Sequence, residues 1–259
     1  MTADSQLVFS ACPHDVVADP EKWTEFAHYL CERTPLKSEF RRHVSFEDFA
    51  RHFNSFSLTY AHPLHAIQLW SQHGYIPLAK YEGTYDEAVL ITSNSSGRRG
   101  SFNRIAAAER GVRSIEGANV ACVYGSPSHA AALIEIARKS PGLTFESVFK
   151  DSYPNVLMSV STGEAECGII LKSVWTQMIS MRDRVRSIYE TDARKLVHAF
   201  MLAPQLSKLT GVVRTTLLQM EKDPEGQNIL DRLGCERLVE FNEAGLSQLQ
   251  ASLEVCRFE

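Results

Sequence analysis

The stretch VACVYGSPSHAAALIEIAR, residues 120–138, decides the fold. Its opening apolar run predicts a short buried strand, and after the turn at Gly125 the apolar residues recur at helical spacing. A helix that starts there leaves backbone N–H groups unpaired and carries a partial positive charge at its first turn. With the hydroxyls of Ser126 and Ser128, the turn predicts either an oxyanion-sized cradle or an ordinary helix cap. It is not a P-loop, because the sequence lacks the GxxxxGK[ST] pattern.

Strand and helix patterns alternate on both sides of this stretch. Helix starts are predicted at Asp19, Ser45 and His62, where capping residues or prolines precede an apolar face. The alternation predicts an α/β protein with mostly parallel sheets flanked by helices. Strands are predicted at residues 7–11, 56–60, 88–92, 119–124, 143–149, 166–171 and 197–203.

The composition is that of an ordinary globular chain, with 259 residues, 44% apolar and 22% charged, and a formal net charge of −4. The negative charge argues against a nucleic-acid partner, and no apolar run is long enough for direct membrane insertion. The first twelve residues lack a signal-peptide pattern, which favours the cytoplasm or a leader that has been removed. Buried thiols without disulfides are expected at the cysteines, which lack CxxC spacing: Cys12, Cys31, Cys122, Cys167, Cys235 and Cys256.

Candidate binding residues follow the ends of two early strands. Cys12 and His14 follow the first strand in SACPHDVV, and in SLTYAHPLHA the strand ends at Tyr60 and His62 begins the next turn. Histidine can donate to an anion or ligate a metal ion. The plainer interpretation is that His62 caps its helix and His65 lies on the surface.

Two further candidates lie later in the chain. Tyr85, in KYEGTYDEAVLI, is an aromatic wall if it faces a cleft and a solvated loop residue otherwise, and Glu166 begins a strand in SVSTGEAECGII. Hydrolase signatures such as GxSxG and HExxH are absent from the sequence. A metal site would need several turns to converge, with ligands drawn from Cys12, His14, His62, His65 and His129.

Taken in order, these segments resemble the substrate-binding proteins of phosphate, phosphite and phosphonate ABC transporters, which have the type II periplasmic-binding-protein fold. In place of that family's Ser-Thr-Ser-Gly anion loop this chain has Gly125 to His129, and Glu166 stands where the family usually has Asp. The resemblance spans nearly the whole chain and rests on LVFSACPHD, FNSFSLTYAHPLHA, YDEAVLITSNSSG, IEGANVACVYGSPSHAAAL, SVSTGEAECGII and DPEGQNILDRLG.

The resemblance implies two α/β lobes, residues 1–91 with 196–259 and residues 92–195, which capture a small oxyanion in the cleft between them by hinge closure. It implies a solute-binding protein or sensor domain rather than an enzyme, without a cofactor, whose partner is an ABC permease or a signalling protein. It also implies a periplasmic location, which conflicts with the missing signal pattern. The alternatives are a softer oxyanion or a metal bound through cysteine and histidine, and an enzyme built on the same fold.

The expected ligand contacts come from both lobes, and the expected set contains no metal ligand. Its members are Cys12, His14, Tyr60, His62, Tyr85, Tyr124, Ser126, Pro127, Ser128, His129 and Glu166.

Overall fold

The computed structural model describes residues 7–16, 19–43, 45–94 and 111–254. The chain divides into two compact units. Unit 1 consists of Met1–Thr84 with Val197–Gln250, and unit 2 consists of Tyr85–Leu196 with Ala251–Glu259. The predicted lobes differ from this division, because they assigned residues 85–91, Leu196 and residues 251–259 to the first lobe.

The strands and helices are numbered here in chain order. The strands are β1 (Leu7–Ala11), β2 (Ser38–Phe40), β3 (Phe56–Ala61), β4 (Ile76–Tyr81), β5 (Ala88–Ser93), β6 (Asn119–Cys122), β7 (Glu146–Phe149), β8 (Cys167–Leu171), β9 (Val185–Glu190), β10 (Ala199–Leu202) and β11 (Leu238–Glu240). The α-helices are α1 (Pro13–Val16), α2 (Glu21–Arg33), α3 (Phe46–Arg51), α4 (Pro63–His73), α5 (Pro127–Lys139), α6 (Tyr153–Thr162), α7 (Lys172–Gln177), α8 (Thr210–Leu218), α9 (Pro224–Leu233) and α10 (Glu243–Leu253).

Every strand predicted from the sequence is present, with bounds that differ by at most three residues. The helix starts also follow local chemistry. The Ser45 hydroxyl accepts a hydrogen bond from the backbone N–H of Asp48 at 3.1 Å and caps α3, as expected for a serine in this position. No side-chain hydrogen bond caps α4, so the interpretation of His62 as a capping side chain is wrong.

The sheet of unit 1 has the strand order β11-β4-β10-β3-β1-β2. Strand β1 pairs in parallel with β2 and β3, whereas β10 runs antiparallel to both β3 and β4. Helix α2 buries Phe26 on this sheet, with ring centroids 5.2 Å from those of both Phe9 and Phe200. This pairing brings the carboxyl ends of β1 and β3 to the same edge as the start of β10.

The sheet of unit 2 has the strand order β7-β6-β8-β5-β9. Strand β6 pairs in parallel with β7 and β8, and β5 runs antiparallel to β8 and β9. Because β5 belongs to this sheet, residues 88–91 fold with unit 2. Helix α6 packs closely on β8, where a Cβ atom on Gly168 would come within 2.9 Å of the Val156 and Val160 methyl groups.

Both sheets are mixed and flanked by helices, which confirms the predicted α/β class. None of the helices in the described part of the chain combines the length and apolar character needed to cross a membrane.

Candidate functional site

The turn that opens α5 places buried hydroxyls at the carboxyl edge of the sheet of unit 2. Gly125 has a positive φ of 61°, a conformation that glycine adopts without strain. Ser126 is fully buried and caps α5, because its Oγ accepts a hydrogen bond from the backbone N–H of His129 at 3.3 Å. The helix-cap interpretation of Ser126 therefore holds, and Pro127 occupies the first helical position.

A chain of hydroxyls joins the N-termini of two helices in unit 2. The Oγ atoms of Ser126 and Ser128 lie 3.1 Å apart, and Ser128 Oγ donates to the hydroxyl oxygen of Tyr153 at 3.3 Å. Tyr153 is the first residue of α6, and it is 5% exposed, while both serines are fully buried. Two helix N-termini, each with a partial positive charge, thus meet through neutral donors. Such an arrangement suits an anion that is stabilised without a buried lysine.

Aromatic rings lie next to these hydroxyls. Tyr124 is 58% exposed, and its ring centroid is 5.1 Å from that of Phe149, which is also exposed. The ring of His129 lies 6.0 Å from Phe149 and is 2% exposed, and burial lowers the pKa of this imidazole to about 4. His129 is therefore neutral near pH 7. The edge-to-face pair of Tyr124 and Phe149 offers apolar contact beside the polar turn.

The carboxyl edge of the sheet of unit 1 carries a cluster of cysteine and histidine side chains, which we call the Cys12 cluster: Cys12, His14, Asp15, His62, His65 and His198. Cys12 Sγ lies 3.2 Å from Nδ1 of His14. Oδ2 of Asp15 lies 3.5 Å from Nε2 of His14 and 3.3 Å from Nε2 of His198. The rings of His62 and His65 have centroids 3.8 Å apart.

Burial keeps part of this cluster uncharged. His62 is 1% exposed, and burial together with the neighbouring imidazoles lowers its pKa well below the usual value. Burial also lowers the pKa of His65, to about 3. The rings pack against Phe46, whose centroid is 5.3 Å from that of His62. His65 is thus half-buried and packed, and the expectation of a surface histidine is wrong.

Most of the predicted contact residues fall into these two groups. Cys12, His14 and His62 lie in the Cys12 cluster, and Tyr124, Ser126, Pro127, Ser128 and His129 lie around the start of α5. Tyr85 lies near the start of β5 and is half-buried. Tyr60 is 4% exposed and packs inside unit 1, with its ring stacked 4.9 Å from Tyr81 and 5.0 Å from His198.

Glu166 is the predicted contact that the structure places elsewhere. It precedes β8, so it lies at the amino edge of the sheet, opposite the edge where α5 begins. Its carboxylate accepts a hydrogen bond from the backbone N–H of Asn119 at 3.0 Å, at the start of β6. Its role is therefore to hold strand ends together. Because the starts of parallel strands share one edge, the direction of β8 could have excluded Glu166 from the site.

Other residues of these two groups were not among the predicted contacts. Tyr153 follows a strand in DSYPN, where the capping Ser152 and Pro154 signal a helix start. Asp15 directly follows His14, and His198 interrupts an apolar strand pattern in VHAFMLA. A polar residue in an apolar run was the available signal for His198. The proposed metal-ligand set also included His129, which belongs to unit 2 rather than to the Cys12 cluster of unit 1.

Five cysteines lie in the described residues, and all five are thiols rather than disulfide partners: Cys12, Cys31, Cys122, Cys167 and Cys235. Cys256 lies outside the described residues. An open groove of about 500 Å³ also runs along α6 in unit 2. Its lining contains none of the predicted contact residues: Phe149, Lys150, Asp151, Asn155, Met158, Ser159, Thr162 and Glu164.

The chain forms two mixed α/β units by passing from one to the other and back, and helix N-termini lie at the carboxyl edge of a sheet. These features define a solute-binding protein of the periplasmic-binding class. The chain belongs to the family of periplasmic substrate-binding proteins of phosphonate ABC transporters, whose model matches residues 13–246. Members of this family are substrate-binding components and not enzymes, and they bind small ligands and work with a permease. The resemblance inferred from the sequence is confirmed.

Solved structures share the fold at low sequence identity. PhnD1 from Prochlorococcus marinus (MIT 9301), in complex with methylphosphonate, has a TM-score of 0.74 at 14% identity, covering 96% of this chain and 97% of that chain. XAC2383 from Xanthomonas citri, bound to chloride ion, has a TM-score of 0.73 at 16% identity, with 97% of each chain covered. A binding protein component of an ABC phosphonate transporter from Pseudomonas aeruginosa has a TM-score of 0.70 at 10% identity, covering 96% of this chain and 87% of that chain. None of the curated proteins matches the sequence.

Proposed function

We propose that this protein binds a small phosphorus oxyanion of the phosphonate class at the N-terminus of α5. The observation that carries the proposal is the buried hydroxyl chain of Ser126, Ser128 and Tyr153, which joins two helix N-termini. The family of the chain and the methylphosphonate complex of PhnD1 from Prochlorococcus marinus support the ligand class.

To bind a ligand, the two serine hydroxyls would exchange their present hydrogen bonds for bonds to the anion. Ser126 Oγ accepts from the N–H of His129, and because Ser128 donates its single O–H to Tyr153, the O–H of Ser126 donates to Ser128 Oγ and would turn from it to the anion. Ser128 currently donates within the hydroxyl chain and can turn its O–H towards an anion. Each hydrogen bond to a charged oxygen stabilises the complex by about 1.5–3 kcal/mol. Two such bonds, together with the helix ends, are sufficient for specific recognition of a tetrahedral anion.

The carbon substituent of a phosphonate would lie against the exposed aromatic rings. Tyr124 and Phe149 are exposed and meet edge to face close to the turn that opens α5, with ring centroids 5.1 Å apart and ring planes at 87°. An apolar or planar substituent gains from contact with these rings, whereas a fourth oxygen does not. The pair therefore favours a phosphonate over inorganic phosphate.

The bound ligand would then be delivered to an ABC permease, the usual partner of this family. A signalling protein that reads the loaded state is the second partner class, and the binding site itself does not depend on which of the two is used.

Calorimetric titration of the full chain with methylphosphonate, phosphite, phosphate and sulfate tests the proposed ligand. Methylphosphonate should bind with a stoichiometry of one and more tightly than phosphate, and sulfate should bind most weakly. At a concentration of 100 times Kd, the ligand should also add about 2.7 kcal/mol to the free energy of unfolding. Binding of sulfate as tight as that of methylphosphonate, or no binding of any phosphorus oxyanion, would refute the proposal.

A further inference from the structure

The Cys12 cluster in unit 1 combines donor atoms that the proposed anion site does not use. Cys12 follows β1 and His62 follows β3, and these parallel strands end at the same edge because Ala11 pairs with Tyr60. His65 lies one turn into α4, on the same side as His62. One donor atom from each of Cys12, His62 and His65 lies within 4.8 Å of the other two.

His62 is buried without a hydrogen bond. Both of its ring nitrogens are inaccessible to solvent and find no hydrogen-bond partner within the part of the chain that the structure describes. Nδ1 of His65 is in the same situation. Buried polar atoms without a partner are rare in folded proteins, and a bound ligand would give at least one nitrogen of His62 and Nδ1 of His65 an interaction.

The donor chemistry identifies the kind of ligand. An anion needs N–H or O–H donors, but a neutral imidazole has one donor nitrogen and one nitrogen with a lone pair. A neutral His62 and a neutral His65 can therefore each offer one lone pair, and their donor atoms lie within 4.8 Å of each other. A thiol joins them at Cys12, and sulfur with imidazole nitrogen is the donor set of borderline and soft transition-metal ions. Hard ions such as Mg²⁺ and Ca²⁺ prefer oxygen donors.

We propose that Cys12, His62 and His65 bind a transition-metal ion of the zinc class in unit 1. The Cys12 thiol loses its proton on binding, so one Zn–S bond and two Zn–N bonds form and one proton is released to solvent. Three protein ligands leave one position of a tetrahedral ion open. The site does not require the proposed phosphonate ligand, and either can be correct without the other.

The neighbouring residues of the cluster position the ligands. Nδ1 of His14 lies 3.2 Å from Cys12 Sγ, where it orients the sulfur, and Nε2 of His14 in turn faces Oδ2 of Asp15 at 3.5 Å. Neighbours that hydrogen-bond to a metal ligand fix its orientation and tune its binding to the metal. His14 and Asp15 are thus positioning residues, and His198 shares Asp15 with His14.

Titration of the chelator-treated full chain with Co²⁺ tests the site directly. One Co²⁺ per chain should bind and produce the visible bands of a tetrahedral ion together with a near-ultraviolet sulfur-to-cobalt charge-transfer band, and Zn²⁺ should displace it. The charge-transfer band reports the Cys12 sulfur specifically. A wild-type protein that binds no Co²⁺, or binds it without this band, refutes the proposal before any variant is made.

Matched variants then assign the ligands. Cys12→Ser should abolish the charge-transfer band, while Cys122→Ser, which alters an equally buried thiol in unit 2, should leave it unchanged. His62→Gln and His65→Gln should each weaken Zn²⁺ binding by about 100-fold or more, since loss even of a neighbour that only orients a ligand costs 10–100-fold.

His65 is only half-buried, so His65→Gln is the variant most able to fold, and thermal melting of each metal-depleted variant checks that it does. His14→Gln should have the smaller effect expected of a positioning residue. If His14→Gln and His198→Gln abolish binding whereas His62→Gln and His65→Gln do not, the ligand assignment is refuted.

Discussion

Replacing Ser126 by alanine separates the structural role of this residue from its proposed binding role. Ser126 Oγ caps α5 through the N–H of His129 at 3.3 Å, and loss of a serine cap costs about 1 kcal/mol of stability. The same substitution removes a hydroxyl that we propose donates to the ligand. Loss of one hydrogen bond to a charged group costs about 1.5–3 kcal/mol, which corresponds to a Kd about ten- to a hundredfold higher.

Ser45→Ala is the matched control, since Ser45 caps α3 with a similar bond of 3.1 Å and lies in unit 1. Chemical unfolding should show a similar loss of stability for both variants, and calorimetric titration with methylphosphonate should show weaker binding for Ser126→Ala alone. Ser126 and Ser128 lie 3.1 Å apart. The loss of binding free energy in the Ser126→Ala, Ser128→Ala double variant should therefore differ from the sum of the losses in the two single variants. An unchanged Kd in Ser126→Ala, or an equal loss of affinity in Ser45→Ala, would refute the assignment.

Three further predictions concern stability. Tyr75→Phe should lower the free energy of unfolding in urea by about 1–3 kcal/mol, because the buried hydroxyl lies 2.5 and 2.7 Å from the carbonyl oxygens of Phe53 and Phe56; a loss below 0.5 kcal/mol would contradict this. Gly168→Ala should cost about 1–3 kcal/mol in the same assay, because its Cβ would meet buried methyl groups at 2.9 Å, and an unchanged midpoint would show that α6 moves aside. His129 has a folded pKa of about 4, below the usual 6.5. Its contribution to stability is therefore complete above pH 6.5 and is lost as the pH falls through 4. His129→Gln should make the free energy of unfolding less dependent on pH in this range, and an unaltered curve would exclude His129 as the source of that dependence.

The start of α5 could be predicted from sequence because its causes are local. Glycine relieves the turn, a serine caps the helix and proline fits the first helical position, and all three act within a few residues. Strand β4, in contrast, was not predicted from the sequence. Pro77 and Lys80 interrupt its apolar pattern, and yet β4 pairs on both sides, with β10 and β11, so long-range pairing overrides its weak strand signal.

The Cys12 cluster shows where prediction from the sequence stops. The positions of Cys12 and His62 at strand ends follow from the pattern of apolar residues. The arrival of His198 beside them depends on β10 pairing antiparallel with β3, where Ala199 faces Ala61. Nothing local in the sequence specifies a pairing between segments so far apart in the chain. Glu166 was selected from a motif without the direction of its strand, and the structure places it at the amino edge of the sheet of unit 2.

The insertion of β10 between β3 and β4 also determines the order in which the protein can fold as it is synthesised. The strands of unit 2 all precede residue 191, so its sheet can be completed while the ribosome is still adding the last quarter of the chain. The sheet of unit 1 cannot close until Ala199–Leu202 emerges, although most of its strands were made first. During that interval β3 and β4 each keep an edge without its final partner. The unit whose strands begin first is therefore the one whose sheet can be completed last.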